Sequence, residues 1–232
     1  MGYLPLFTDV TDQPCVVIGG GDVAVDRVGL LLAAGAIVTV IAPSLTAQLE
    51  ALADRITWRA RRFIPGDLRA FRLAFYADPA ESEAQTVAAE ARALGVPINV
   101  TDRPQLCSFI MPAIVRRGAL QIAISTGGAS PALAKLVRGE LERVIGTEYE
   151  ALATILGALR EHLRRREPAP AGRAHLARIL TTELRAALAQ HDNAGVDTIL
   201  SRNLGLRISD LGIDAMRAVP SSVRICAAGG AK

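Results

Sequence analysis

The sequence is poor in the residues from which several common sites are built. Aromatic residues make up 4% of its 232 positions, and Trp58 is the only tryptophan. That leaves no platform of rings on which nucleic-acid bases could stack. The three cysteines, Cys15, Cys107 and Cys226, stand far apart. Such spacing makes neither a metal knuckle nor a disulfide framework, so they read as reduced and largely structural. The three histidines, His162, His175 and His191, are scattered too; they read as surface residues, and no resident metal is expected. Long apolar runs are missing: the longest, GLLLAAGAIVTVIAP at 29–43, is broken by Gly and Thr and is too short for a bilayer. The opening segment, MGYLPLFTDV, lacks the basic stretch, apolar stretch and cleavage site of a secretory signal. A cytoplasmic protein without membrane contact is the expectation.

Half of the residues are hydrophobic and 21% are charged, the balance of a folded globular chain. The length suits one large domain or two small ones. The net charge of +3 hides an asymmetry. Residues 1–150 hold 14 basic and 16 acidic side chains, whereas residues 151–232 hold 12 and 7. Nearly all of the C-terminal surplus is arginine, whose planar fork suits carboxylates and phosphates. An anionic ligand and an ordinary solvated helix face are both open readings. Nucleic acid is not expected as a partner, because no recognition motif accompanies the modest surplus.

Hydrophobic period divides the chain. CVVIGG reads as a short strand buried on both faces. DVAVDRVGLLLAAGA follows with apolar Val23, Val28, Leu31 and Leu32 near helical spacing, closed by Gly35. IVTVIAP at 37–43 is a second strand stopped by Pro43. LAFYA at 73–77 and VPINVT at 96–101 continue the pattern, with helix-like ESEAQTVAAEARALG between them. Strands alternating with helices imply a doubly wound, Rossmann-type parallel sheet. A different organisation starts near Met111. GALQIAIST reads as a strand, and after the turn STGGASP comes a helix with Ser130 as N-cap and Pro131 in its first turn. From Thr147 the period is helical, interrupted by PAPAG at 168–172.

Within GGGDVA, Gly19, Gly21 and Ala24 satisfy the G-x-G-x-x-G/A spacing of a dinucleotide cradle. The first glycine permits the tight turn, and the second lets a pyrophosphate approach the backbone. The small third residue lets helix and strand pack closely. Gly21, Asp22 and Val23 then lead past the phosphates into a helix N-terminus. A glycine-rich turn without a ligand is the competing reading. The second strand ends in Ala42-Pro43-Ser44 rather than in the acidic residue that often meets the ribose, so this position does not separate NAD from NADP.

Several segments taken in order resemble the precorrin-2 dehydrogenase/sirohydrochlorin ferrochelatase family, which includes the N-terminal half of sirohaem synthase. They are YLPLF at 3–7, VVIGGGDVA at 16–24, GAIVTVIAP at 35–43 and INVTDRPQLCSFIMPAIVRRGALQIAISTGGASPALAKLVR at 98–138. The resemblance implies an NAD-binding domain over 1–111, a dimerisation segment of strand, turn and helix over 112–146, and a helical domain over 147–191. Residues 192–232 would form a helical or partly disordered tail. The implied chemistry is oxidation of precorrin-2 to sirohydrochlorin with NAD, and some members also insert Fe²⁺ to give sirohaem. The aspartate of the family's N-V-x-D motif falls on Asp102, as the implied catalytic residue. A general base suits a reaction that removes a proton along with a hydride; a turn or cap residue before Pro104 is the alternative. Gly19, Gly21, Asp22, Val23, Ala24, Pro43 and Ser44 would meet the cofactor. Thr126, Gly127 and Gly128 would receive a carboxylate of the polyanionic tetrapyrrole, unless they are a plain strand-to-helix connection. Arg164, Arg165, Arg166 and Arg178 are further candidates for its carboxylates. A homodimer is the implied assembly.

The match has departures. The family's basic pair after VA reads Asp26-Arg27 here, and the third strand is followed by Asp78 and Ala84 where Thr and Asn are usual. These changes motivate an alternative, a homologue that binds tetrapyrrole or nucleotide as carrier or sensor without turnover.

Overall fold

A computed structural model describes residues 2–78, 81–166 and 173–213. The chain divides into two compact units, Met1–Met111 and Pro112–Lys232.

The first unit is built on five parallel strands: β1 (Pro14–Ile18), β2 (Ile37–Ile41), β3 (Thr57–Arg59), β4 (Leu73–Tyr76) and β5 (Ile98–Val100). Their order is β3-β2-β1-β4-β5. The chain therefore winds outward from β1 in one direction and then returns to wind the other way. That reversal leaves a crevice at the strand ends between β1 and β4. β1 is apolar throughout because both of its faces are covered. Val16 and Ile18 enter the core beneath α3 (Glu81–Leu94), while Cys15 and Val17 enter the opposite core beneath α1 (Asp22–Ala33).

α1 turns Ala24, Val28 and Leu31 inward. Val23, which the periodicity placed on the apolar face, is exposed instead. The helix ends at Ala34, and Gly35 follows in the left-handed region at φ 76°. A four-residue helix, α2 (Ala47–Glu50), follows β2. β3 escapes sequence reading: it is three residues long, and Thr57 and Trp58 are exposed. It is pinned where the Trp58 indole N–H donates to the Ala42 carbonyl at 2.9 Å. In the loop beyond, Glu90 of α3 accepts the N–H groups of Gly66 (2.8 Å) and Leu68 (3.0 Å). Asp67 is gripped there by both Arg61 and Arg59.

The second unit opens with an antiparallel hairpin, β6 (Ala113–Arg117) and β7 (Leu120–Ile124). This adds a strand ahead of the expected strand, turn and helix, because AIVRR pairs as a strand of its own. Its alternation is blurred by the two arginines. Arg117 then reaches across to donate to the carbonyls of Ile145 (2.8 Å) and Glu142 (3.1 Å), at the end of α4 (Pro131–Val144). Ser130 caps α4, its hydroxyl accepting from the Leu133 N–H at 3.2 Å. α5 (Glu148–Arg166), α6 (Arg173–Ala189) and α7 (Asn193–Leu204) share one core containing Ile155, Leu159, Leu184 and Leu200. That core runs past residue 191 to partly buried Ile208 and Ile213. PAPAG, Cys226 and everything beyond residue 213 lie outside the described residues. Among those described, no helix is long and apolar enough to cross a membrane.

Candidate active site

The crevice between β1 and β4 is an open cleft of about 520 Å³. Three chain segments line it: Gly21, Asp22 and Val23 at the start of α1; Ala77 and Asp78 after β4; and Thr101, Asp102 and Arg103 after β5.

The three glycines are there for different reasons. Gly19 has φ 121°, and a Cβ on it would lie 2.8 Å from the Ala77 carbonyl carbon and oxygen. A Cβ on Gly20 would lie 2.0 Å from the Ser44 carbonyl oxygen. Both are glycine because protein packs against them. A Cβ on Gly21 would meet no described atom within 4 Å, and the residue has an ordinary extended backbone, φ −88° and ψ −172°. Nothing in the chain itself requires glycine there. Gly21 is also the N-cap residue of α1, and no side chain caps that end. A bare cap with open space before it fits a nicotinamide dinucleotide, whose phosphates would take the place of a capping side chain. Ala24, fully buried, supplies the close helix–sheet contact. Pro43 and Ser44 are exposed at the end of β2 and do not line the cleft; Ser44 contributes its carbonyl against Gly20.

Asp102 sits two residues beyond β5 with φ 59°, in a turn closed by the Arg103 N–H donating to the Val100 carbonyl at 3.3 Å. The loop is anchored below. The Asn99 side-chain amide donates to the Phe109 carbonyl at 3.1 Å, and Cys107 Sγ accepts the Val100 N–H at 3.1 Å. Burial pushes the Cys107 thiol up; in β1, burial takes Cys15 to about 11. Asp102 itself is exposed, and it caps nothing: the short turn at Pro104–Leu106 begins from Arg103 without a side-chain cap. Its carboxylate accepts no hydrogen bond from a described residue.

Sequence reading passed over Arg27 except as the remnant of a basic pair. Its guanidinium lies 5.8 Å from the centre of the Phe75 ring, and Phe75 meets Phe109 edge-on at 5.5 Å. Burial lowers the arginine's pKa, while the carboxylates of Asp26 and Asp102 oppose that shift. The only signal in the sequence was position, one helical turn beyond Val23. Of the departures from the family pattern, Asp78 does line the cleft. Ala84 does not, because it is wholly buried against the sheet.

Thr126, Gly127 and Gly128 belong to the second unit. The Thr126 hydroxyl donates to the Ser130 carbonyl (3.1 Å) and accepts the Ser130 N–H (3.0 Å). Gly127 and Gly128 are left-handed, at φ 65° and 88°, so the turn accounts for both glycines. Arg164 and Arg165 are both paired with Glu161 at 3.1 Å on an exposed surface. His162 corrects the expectation of a surface histidine: it is half-buried, and its Nε2 is closed off without a partner among the described residues. The side chains of Arg166, His175 and Arg178 lie outside the described residues. Among the described residues no three His, Cys, Asp or Glu side chains gather to hold a metal ion.

Residues 6–113 match an NAD(P)-binding family model, and residues 117–143 match the central region of sirohaem biosynthesis proteins. The chain belongs to the precorrin-2 dehydrogenase and sirohaem synthase family. Within that family, the siroheme synthase of Methylococcus capsulatus is 46% identical over 177 residues, covering 75% of this chain and 37% of that protein. The corresponding protein of Nitrosospira multiformis is 41% identical over 179 residues, covering 75% and 38%. The chain thus spans less than two fifths of the length of these relatives. Among solved structures, SirC, a precorrin-2 dehydrogenase, shares the fold: the TM-score is 0.65 at 21% identity, over 88% of this chain and all of that one.

Proposed function

We propose that this family member oxidises precorrin-2 to sirohydrochlorin in sirohaem biosynthesis, with NAD as acceptor. The observation that carries the reading is the convergence on one cleft of the open Gly21 backbone and the unbonded Asp102 carboxylate. Gly21 and the first N–H groups of α1 hold the phosphates, and Gly19 and Gly20 keep the turn tight beneath them. A bound nicotinamide supplies the acceptor for a hydride. Loss of that hydride leaves the macrocycle with a proton to shed, and Asp102 is the group placed to take it. Thr126, Gly127 and Gly128, beside the N-terminus of α4, receive a substrate carboxylate. A homodimer through residues 112–146 is supported by α4, which buries none of its residues within the chain and exposes Leu133, Leu136 and Val144.

The test is turnover of precorrin-2 with NAD, followed optically, in the parent protein and in Asp102→Asn. Asparagine keeps the shape and tolerates the left-handed backbone, so dinucleotide affinity stays unchanged. The rate falls by about 10²–10⁴-fold, as expected for loss of a general base. Equal rates in the two proteins would remove Asp102 from the chemistry. A second assay stage, Fe²⁺ with sirohydrochlorin, asks whether the same carboxylate also accepts pyrrole protons as metal enters; we assign dehydrogenation alone. Asp78 favours a second reading, a tetrapyrrole carrier, because it adds a third carboxylate to the cleft wall. Tight sirohydrochlorin binding without any NAD-linked turnover would establish that reading instead.

A further inference from the structure

β5 ends the sheet, so among the described residues no strand pairs with its outer side. On the inner side, the Thr101 N–H just beyond it donates to the Tyr76 carbonyl of β4 at 3.0 Å. On the outer side, the backbone groups of Ile98 and Val100 meet two residues of the segment that returns along this edge. Ser108 serves Ile98. Its Oγ accepts the Ile98 N–H at 2.8 Å, and its own N–H donates to the Ile98 carbonyl at 2.9 Å. Cys107 serves Val100. Its Sγ accepts the Val100 N–H at 3.1 Å. The same sulfur stands 3.2 Å from the Val100 carbonyl and 3.4 Å from the Arg103 carbonyl, either of which can take the S–H proton. Burial pushes this thiol up, which keeps that proton on sulfur at neutral pH.

Val100 and Arg103 are the first and last residues of the turn that carries Asp102, closed by the Arg103 N–H on the Val100 carbonyl at 3.3 Å. Asp102 has φ 59°, a conformation that costs energy in a residue other than glycine and persists only where its surroundings hold it. Packing does not account for sulfur at position 107. An apolar side chain of similar size would rest on the same core, beside Leu106, and would leave the Val100 N–H without an acceptor.

We propose that Cys107 is a positioning residue for Asp102: its thiol clamps both ends of the turn and so fixes where the Asp102 carboxylate stands in the cleft. It acts through the backbone and touches neither the carboxylate nor a ligand. The proposal rests on the role given to Asp102 in the dehydrogenase reading, yet the clamp itself is measured without turnover.

The experiment compares Cys107→Val with Cys107→Ser. Valine keeps an apolar side chain and removes the clamp, whereas serine keeps a donor and an acceptor and loses the apolar atom. A packing role ranks valine above serine; a positioning role ranks serine above valine. Thermal melts verify the fold, and Cys107→Ala replaces valine if that variant does not fold. In Cys107→Val, amide hydrogen exchange read by NMR is about tenfold faster at Val100, as expected for one lost hydrogen bond. Ile98, held by Ser108, and Thr101, held by Tyr76, keep the parent rates, and the Asp102 backbone carbon shifts leave their left-handed values. Cys107→Ser restores both signals. In turnover of precorrin-2, valine lowers kcat by about 10–10²-fold, the scale of an ångström of misplacement. KM for NAD stays at the parent value, and serine recovers most of the rate. Parent-like exchange at Val100 in folded Cys107→Val overturns the proposal, as does a freed Val100 amide with parental kcat. Equal acceleration at Ile98, Val100 and Thr101, or valine outperforming serine, overturns it in favour of packing. A freed Val100 amide and shifted Asp102 signals, in a protein whose parent does not turn over precorrin-2, leave the clamp standing and remove the dehydrogenase reading instead.

Discussion

Replacing Gly21 by alanine separates the two tasks a glycine can perform where a strand turns into a helix. The residue has an ordinary backbone conformation, and the added Cβ would meet nothing within 4 Å. Alanine is a poorer N-cap than glycine by about 0.5–1 kcal/mol. Stiffening of the unfolded chain returns about 0.4–1 kcal/mol. The two nearly cancel, so Tm changes by about 2 °C or less. Binding responds differently, because the methyl group occupies the space where a pyrophosphate approaches the helix N-terminus. Affinity for NAD falls at least about tenfold, or about 1.4 kcal/mol. Gly20→Ala is the contrasting control. Its Cβ would stand 2.0 Å from the Ser44 carbonyl oxygen and 3.0 Å from the Ala42 Cβ, so backbone has to move. Overpacking of that kind costs about 3 kcal/mol, which lowers Tm by about 6–12 °C. Calorimetric titration with NAD alongside thermal melts reads both effects. Wild-type NAD affinity in a folded Gly21→Ala protein would show that the opening is not the cofactor's. A melt as poor as that of Gly20→Ala would show that the turn itself needs the glycine.

Two further outcomes follow from the loop beyond β3. Glu90→Ala leaves the buried-side N–H groups of Gly66 and Leu68 without their acceptor; at about 1–3 kcal/mol for such a loss, urea denaturation shows a lower midpoint with an unchanged slope. Asp67 is held below the usual carboxylate range, chiefly by its hydrogen bonds from Arg61 and also by the Ile64 N–H and the charge of Arg59. Its stabilising contribution is therefore fully present above the unfolded value near pH 4, and it is lost as pH falls through the lower folded value. In acid titrations monitored by circular dichroism, Asp67→Asn is less stable than the parent at pH 6, and the gap narrows below pH 4.

The central strands were legible because a parallel strand covered on both faces must be apolar at every position, and PCVVI and IVTVI are nearly so. Helices α1, α3, α5 and α6 were legible from their period and end signals. β3 and β6 were not. Three residues with two exposed carry no pattern, and a strand ending in Arg116 and Arg117 has lost its alternation. Val23 shares helical spacing with core positions, yet it lines the cleft beside Gly21 and Asp22, because the sheet lies under Ala24 and Val28.

For the site, the sequence by itself determined the glycine turn, the helix that follows it and, through the family resemblance, the importance of Asp102. It could not say which glycine serves the fold and which faces open space. That difference lies in Ser44 and Ala77, which belong to other loops. Nor could it seat Arg27 on Phe75 and Phe75 against Phe109, because only packing brings those three segments together. Local chemistry is written along the chain, whereas the partners of a charge or a missing Cβ depend on strand order and packing. Tertiary structure alone decided those.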